Sequence, residues 1–374
     1  MDFTLSDEEQ AIFDLTAQIL GDKSTHERLS DLAANDDRID AEAWAALAQA
    51  GVLGAAVPES YGGLGLGFLA TAMAIQQVGA TASPVPLLST AVMGAMPIAE
   101  FGSAEQRARY LPAIADGSLI VAAALYEEGT TAAEPEVVAV PDPDGYRIEG
   151  AKPMVADALD AGLILVPAKL RDGSCGVFLV PADTAGILTI RVEVTTGRPQ
   201  ARLEFSGVVV PEDALLAGPA SAVSGAEIVD WIELRVNCCL CMMMAGAAQA
   251  SIELAAQYTK QRYQFDRPIA TFQAVSNRAG DSYIDTNAIV LTAWQAAWRI
   301  DQGLEAQDAV SVARWWAAEG GFRVVHAAVH VHGGVGVDRD YPLHRFFLMA
   351  RQLELTLGNG EEHLATLGRA IAAR

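Results

Sequence analysis

The chain has 374 residues, 51% of them hydrophobic, and a formal net charge of −22 at pH 7 with a pI near 4.5. Such a length and apolar content suffice for two or three packed units around a large core. The acidic balance argues against a nucleic-acid partner, which needs a basic footprint to displace counterions.

The first ten residues, Met-Asp-Phe-Thr-Leu-Ser-Asp-Glu-Glu-Gln, are polar and acidic, and no charge-free apolar run of about 18 residues follows. A cytoplasmic chain without membrane insertion is expected. From Phe3 to about Ile120 apolar residues recur at three-to-four spacing, as in residues 7–15 and 41–50, which predicts helices. Glycine and proline interrupt them at residues 58–63 and 83–86. A turn and an amphipathic helix are expected over residues 101–117.

Between Val121 and Pro211 the period changes. β-Rich runs at 137–140, 146–148, 163–166 and 177–180 are separated by glycine, proline and aspartate, which predicts a small antiparallel sheet. After Ala217 the pattern is helical again, with long periodic runs over 226–263 and 309–331 and loops at Gly333-Gly334 and Gly358-Asn-Gly360. The expected fold is mainly α with a central β domain. Its parts are an N-terminal helical domain over 1–120, a β-sheet domain over 121–219 and a C-terminal helical bundle over 220–374.

Cys175, Cys238, Cys239 and Cys241 are the four cysteines, three of them crowded into one apolar stretch before Met242-Met-Met244. No second Cys/His pair stands at zinc spacing, so core packing is the expected role. His326 and His330 lie four apart but lack an acidic or cysteine partner, and no metal site is expected. The small residues Ala245, Gly246, Ala247 and Ala248 suit either close helix packing or a widened pocket.

Four separated strings carry more chemistry than any of these. They are Pro58-Glu-Ser-Tyr-Gly-Gly-Leu-Gly65; Phe101-Gly-Ser with Arg109-Tyr-Leu-Pro112; Arg262-Tyr-Gln-Phe265 with Phe272-Gln273; and His332-Gly-Gly-Val-Gly336 followed by Tyr341-Pro342. A guanidinium beside exposed aromatics suits phosphate and a flat nucleotide ring. Glycines without Cβ admit close approach of a diphosphate. Alone, Arg262 reads more readily as a helix cap beside core aromatics, and the glycine turn as a mere helix end.

In this order and at these separations, over nearly the whole chain, the strings resemble the acyl-CoA dehydrogenase family, whose members pass hydride from an acyl thioester to FAD. The resemblance implies that Arg262, Gln264, Phe265, Ile269, Phe272 and Gln273 reach across a subunit interface to a neighbour's FAD. Gly333 and Gly334 would receive its diphosphate. His330 stands where the family commonly has glutamine.

The same resemblance exposes losses. Dehydrogenation needs a carboxylate to take the α-proton, and the two positions the family uses for it are occupied here by Leu357 and Val236. Tyr126-Glu-Glu128 replaces a Thr-Glu-Pro string, Met154-Val-Ala156 replaces Trp-Ile-Thr, and Asn237 replaces an arginine that holds CoA. Glu233, Glu361 and Glu362 are the nearest substitute bases, and each also reads as an ordinary solvated or capping carboxylate.

The pattern resembles the subunit without the base in heteromeric α2β2 acyl-CoA dehydrogenases of bacterial steroid side-chain degradation. It implies FAD shared at a subunit interface. The partner is then a homologous subunit that carries the glutamate and meets most of the acyl-CoA. A self-sufficient enzyme with a relocated base and a flavin-free assembly subunit are the alternatives.

Overall fold

A computed structural model of the chain describes residues 5–218 and 221–374. Phe3, where the helical pattern begins, and the expected boundary at 219 and 220 lie outside the described residues. In chain order the helices are α1 (Asp7–Lys23), α2 (His26–Ala34), α3 (Ala41–Gln49), α4 (Gly67–Thr81), α5 (Met96–Phe101) and α6 (Ala104–Ala115). Beyond the sheet come α7 (Gly225–Gln261), α8 (Gln273–Asp301), α9 (Gln307–Trp315), α10 (Gly321–His332), α11 (Leu343–Leu355) and α12 (Gly360–Ala372). Helices thus flank a central sheet, as the changes of period predict.

Local sequence explains several starts. Ser6 with Glu9, Ser103 with Gln106 and Asn359 with Glu362 each form a reciprocal capping box that satisfies orphan N–H groups at the helix entry. The periodic run over 309–331 is not one helix. A π turn, Trp316–Gly320, separates α9 from α10, and a second π segment, Leu88–Ala95, precedes α5. Apolar spacing does not register such a one-residue widening of the turn.

Backbone contacts group the chain into two compact units. The first comprises Met1–Ala43, Phe68–Pro84 and Asn237–Arg374. Here α4 crosses α7 with backbones in direct contact: a Cβ on Gly79 would lie 2.0 Å from the carbonyl oxygen of Met243, and one on Gly246 would lie 2.1 Å from that of Gln76. Ala245, Ala247 and Ala248 are fully buried beside it. The Gln76 amide donates to Gln249 Oε1 at 3.0 Å and accepts from Trp294 Nε1 at 2.9 Å, so one side chain ties α4 to α7 and α8.

Close helix packing is therefore what Gly246 does. A Gly246→Ala variant must push the helices apart. It should lose about 1–3 kcal/mol in urea unfolding, the usual cost of overpacking a tight core, and a midpoint equal to wild type would contradict this packing role.

The second unit comprises Trp44–Gly67 and Val85–Val236. Its sheet contains β1 (Val121–Ala123), β2 (Val138–Asp142), β3 (Gly145–Val155), β4 (Leu163–Lys169), β5 (Cys175–Pro181), β6 (Ile187–Val192) and β7 (Gln200–Val210). The order is β1-β4-β2-β3-β7-β6, with β5 also paired to β4. Pairing is mostly antiparallel; β4 is the exception, running parallel to β1 and to the start of β2. Ile148, Val166, Phe178, Leu203 and Phe205 fill its core.

Helix α7 comes nearer to a membrane span than its charge pattern suggests. It is long and apolar enough by composition, with a mean hydropathy of 1.4 in its richest window. Yet 67% of that window is buried inside the protein, and Cys238, Cys239 and Cys241 on this helix are buried thiols. Core packing accounts for its composition.

Candidate functional site

Directly after α7 the chain makes a two-stranded hairpin, β8 (Tyr263–Gln264) and β9 (Arg267–Pro268), with Tyr263 opposite Pro268 and Gln264 opposite Arg267. Its two loop residues, Phe265 and Asp266, both have positive φ, 54° and 63°. That is the backbone of a type I′ hairpin, which normally selects Asn and Gly, so two side chains are held there at a conformational cost. Phe265 adopts it while 88% exposed.

The hairpin carries a cluster rather than a core. Phe265 meets the edge of Phe272 at 6.1 Å between centroids, and the Arg267 guanidinium lies 4.1 Å over the Phe272 ring. Arg262, Gln264 and Gln273 are exposed, and Ile269 and Phe272 are half-buried. Among the described residues no hydrogen bond or ion pair engages the Arg262 guanidinium; its backbone alone is bonded, to Tyr258 and Ile269. A helix-capping role for that side chain is absent from the structure.

Tyr258 links the glycine turn to this hairpin. Tyr258, one turn before Arg262, stacks on His332 at 4.3 Å, and His332 immediately precedes Gly333. Its ring also contacts Ala328 O at 2.7 Å and the Tyr341 hydroxyl at 3.1 Å. Burial lowers the His332 pKa, which favours the neutral ring. In the sequence His332 and Tyr341 stand out only as parts of strings; the structure makes them the anchors of the turn.

The three glycines of that turn differ. Gly333 has φ +63°, and a Cβ on Gly333 or Gly334 would meet nothing within 4 Å, which leaves open backbone at the surface. A Cβ on Gly336 would lie 2.9 Å from Val329 O, so that glycine serves internal packing. His330 is exposed. An exposed guanidinium, exposed aromatic faces and Cβ-free backbone with space in front of it match the diphosphate and adenine end of FAD.

The positions of the base differ in kind. Val236 is fully buried on α7, and Asn237 beside it is 8% exposed. Leu357 sits between α11 and α12 at φ +56°. Its segment is clamped by Arg314, 1% exposed, which donates to the carbonyls of Leu353 (3.1 Å), Thr356 (2.7 Å) and Gly358 (2.7 Å) and to His363 Nε2 (3.2 Å). Burial and then the neighbouring Arg314 push His363 down to about 4, which keeps it neutral as an acceptor. An arginine inside an otherwise apolar pattern is the only sequence signal for this clamp.

Of the substitute carboxylates, Glu362 is committed to the capping box of α12 and Glu361 is exposed in the same first turn. Glu233 is different. Burial first, and then the charge of Asp230, raise it to about 7. In the second unit Tyr126 and Met154 are exposed, whereas Glu127 is buried, accepting from the N–H groups of Glu136 (2.8 Å) and Val137 (3.2 Å). No cluster of three or more metal-ligating side chains occurs among the described residues.

The helix, sheet, helix order is that of a family of flavin-dependent oxidoreductases. The profile of the acyl-CoA dehydrogenase N-terminal domain matches residues 6–118 and that of the C-terminal domain residues 235–372; the chain belongs to the acyl-CoA dehydrogenase family. It is similar to acyl-CoA dehydrogenase FadE27 of Mycobacterium tuberculosis, 36% identical over 100% of this chain and 99% of that one. Among solved structures, the Tcur3481-Tcur3483 steroid ACAD variant is 40% identical, with TM-score 0.90 over 99% of both chains. The ChsE4-ChsE5 complex of Mycobacterium tuberculosis is 35% identical, with TM-score 0.93 over 100% of both.

Proposed function

We propose that this chain is the subunit without a catalytic base in a cytoplasmic, heteromeric FAD-dependent acyl-CoA dehydrogenase. The observation that carries the reading is a contrast. The two base positions hold Val236 and Leu357, while Arg262, Phe265 and the Gly333-Gly334 turn that caps α10 stand exposed, and among the described residues nothing bonds to the Arg262 guanidinium. A homologous partner supplies the glutamate, the ring contacts and most of the acyl-CoA pocket. The two similar structures named for pairs of chains support such an assembly.

In this reading Arg262 forks onto phosphate oxygens, Phe265, Ile269 and Phe272 pack on the adenine end, and Gln264, Gln273 and His330 offer hydrogen bonds. Gly333 and Gly334 let backbone come close to the diphosphate. When bound, FAD accepts the hydride that leaves the β-carbon of the acyl thioester. Leu357 and Val236 accept no proton, so this chain contributes binding and orientation alone. Co-expression with a family partner, followed by native mass and flavin stoichiometry, tests it: the chain alone should hold little flavin and the complex should hold FAD.

One observation favours a second reading, in which the chain is self-sufficient and Glu233 is a relocated base. A carboxyl raised to about 7 is suited to proton transfer near neutral pH. Under that reading the purified chain alone turns over an acyl-CoA and Glu233→Gln abolishes it. Glu233 has a consequence for stability under either reading. The folded state holds a proton that the unfolded chain loses between the ordinary value of 4.5 and about 7, so stability should fall as pH rises through that window. Urea midpoints at about pH 5 and about pH 7.5 should converge in Glu233→Gln, and an unchanged slope would remove Glu233 as its source.

A further inference from the structure

Away from the hairpin and the glycine turn, the first unit contains a cavity of about 340 Å³. The ends of α1 and α4, the starts of α2 and α11, and one face of α7 line it, and it opens to solvent. Leu29, Leu254 and Phe346 give it an apolar wall, and His26 and Arg345 a polar one that carries the guanidinium charge. Among the described residues Arg345 has no carboxylate within ion-pair distance, and its single side-chain hydrogen bond runs from Nη2 to Ser30 Oγ at 3.0 Å.

Two buried polar atoms at this wall, Arg345 Nε and His26 Nδ1, have no hydrogen-bond partner among the described residues. His344 meets His26 edge to face at 6.5 Å, and burial followed by the charge of Arg339 lowers the Arg345 pKa. Glu253 is the acidic residue of the lining; it is exposed and accepts from Gln257 Nε2 at 3.3 Å. A guanidinium that gives the protein one of its five N–H donors is underused, and its planar fork matches a carboxylate.

We propose that this cavity binds a small organic monocarboxylate, with its carboxylate on Arg345 beside His26 and its apolar body against Leu29, Leu254 and Phe346. The size, at the lower end of ligand pockets, suits a short aliphatic acid rather than a nucleotide. A modest rotation of the Arg345 side chain brings Nε to the ligand, since among the described residues Ser30 is its sole hydrogen-bond tether. The site is independent of the flavin reading and lies outside the residues assigned to it.

Calorimetric titration of the purified complex with sodium hexanoate tests the proposal, with hexanol and inorganic phosphate as controls. Saturable hexanoate binding is expected, weakened at least about tenfold in Arg345→Met, which removes one charge-assisted pair. Ala250→Phe, which fills the cavity and leaves Arg345 in place, should also abolish it. Absence of saturable binding, or unchanged affinity in both variants, overturns the proposal. Phosphate binding as tightly as hexanoate overturns the apolar half, and hexanol doing so overturns the carboxylate half. Binding by the full chain alone that vanishes in the complex overturns it in favour of a partner side chain seated in the cavity. Flavin stoichiometry measured on the same samples reports separately on the function proposed above.

Discussion

Lys152→Met should destabilise the chain by about 3–5 kcal/mol, because it removes one partner of a buried ion pair and strands the other. Lys152 is 0% exposed and its Nζ lies 2.5 Å from Glu127 Oε1; Glu127 is 6% exposed. Burial pulls the Lys152 pKa down and the bond to Glu127 pulls it back up, so the ammonium persists through that partner. The Glu127 carboxylate also accepts from Glu136 and Val137 N–H, and in the variant it would remain buried with those bonds alone. Equilibrium urea unfolding reads the effect. The double variant Lys152→Met with Glu127→Gln should recover part of the loss, since no charge is then left alone. A single-variant loss below about 1 kcal/mol would show the pair to be dispensable.

That pair also ties together two stretches of the second unit. Glu127 adjoins Tyr126, and Lys152 lies two residues before Met154 on β3. The buried link holds both stretches in place.

Arg262→Ala should weaken FAD retention by the complex about 10- to 100-fold while changing the stability of this chain by less than about 0.5 kcal/mol. The asymmetry follows from the structure: the guanidinium is exposed and no described residue bonds to it, so the folded chain forfeits nothing when it goes. Deleting a charge-assisted hydrogen bond to phosphate from the complex costs about 1.5–3 kcal/mol. Arg262→Lys should fall between, since an ammonium keeps the charge but not the two-pronged geometry. Flavin content and affinity after gel filtration, compared with the urea midpoint, separate the two quantities. Equal flavin in variant and wild-type complexes would refute the donor role and favour a flavin-free assembly subunit.

Much of the molecule is legible in its residues. Helical periods, the β-branched runs and the capping residues Ser6, Ser103 and Asn359 specify elements locally, because backbone preference and capping act within a few positions. The hairpin and glycine strings are readable because their chemistry resides in residue type: a guanidinium, aromatic faces and missing Cβ atoms. The absence of a base at Val236 and Leu357 is equally plain, since an aliphatic side chain cannot take a proton wherever it is placed.

Other properties have no local signature. Gly246 is a packing residue because the backbone of Gln76, far away in the chain, passes where its Cβ would be. Gly334 and Gly336 look alike in the chain and differ only because Val329 lies over one of them. Glu233 stands near 7 rather than near 4.5 through burial, and Arg314 becomes a clamp because three carbonyls at and beyond the end of α11 converge on it. Residue types and spacing by themselves determined the family, the elements and the aliphatic side chains at Val236 and Leu357. Tertiary structure alone decided which groups stand exposed, which glycines serve packing and where the Arg345 guanidinium meets a pocket, because burial and long-range proximity are properties of the packed chain.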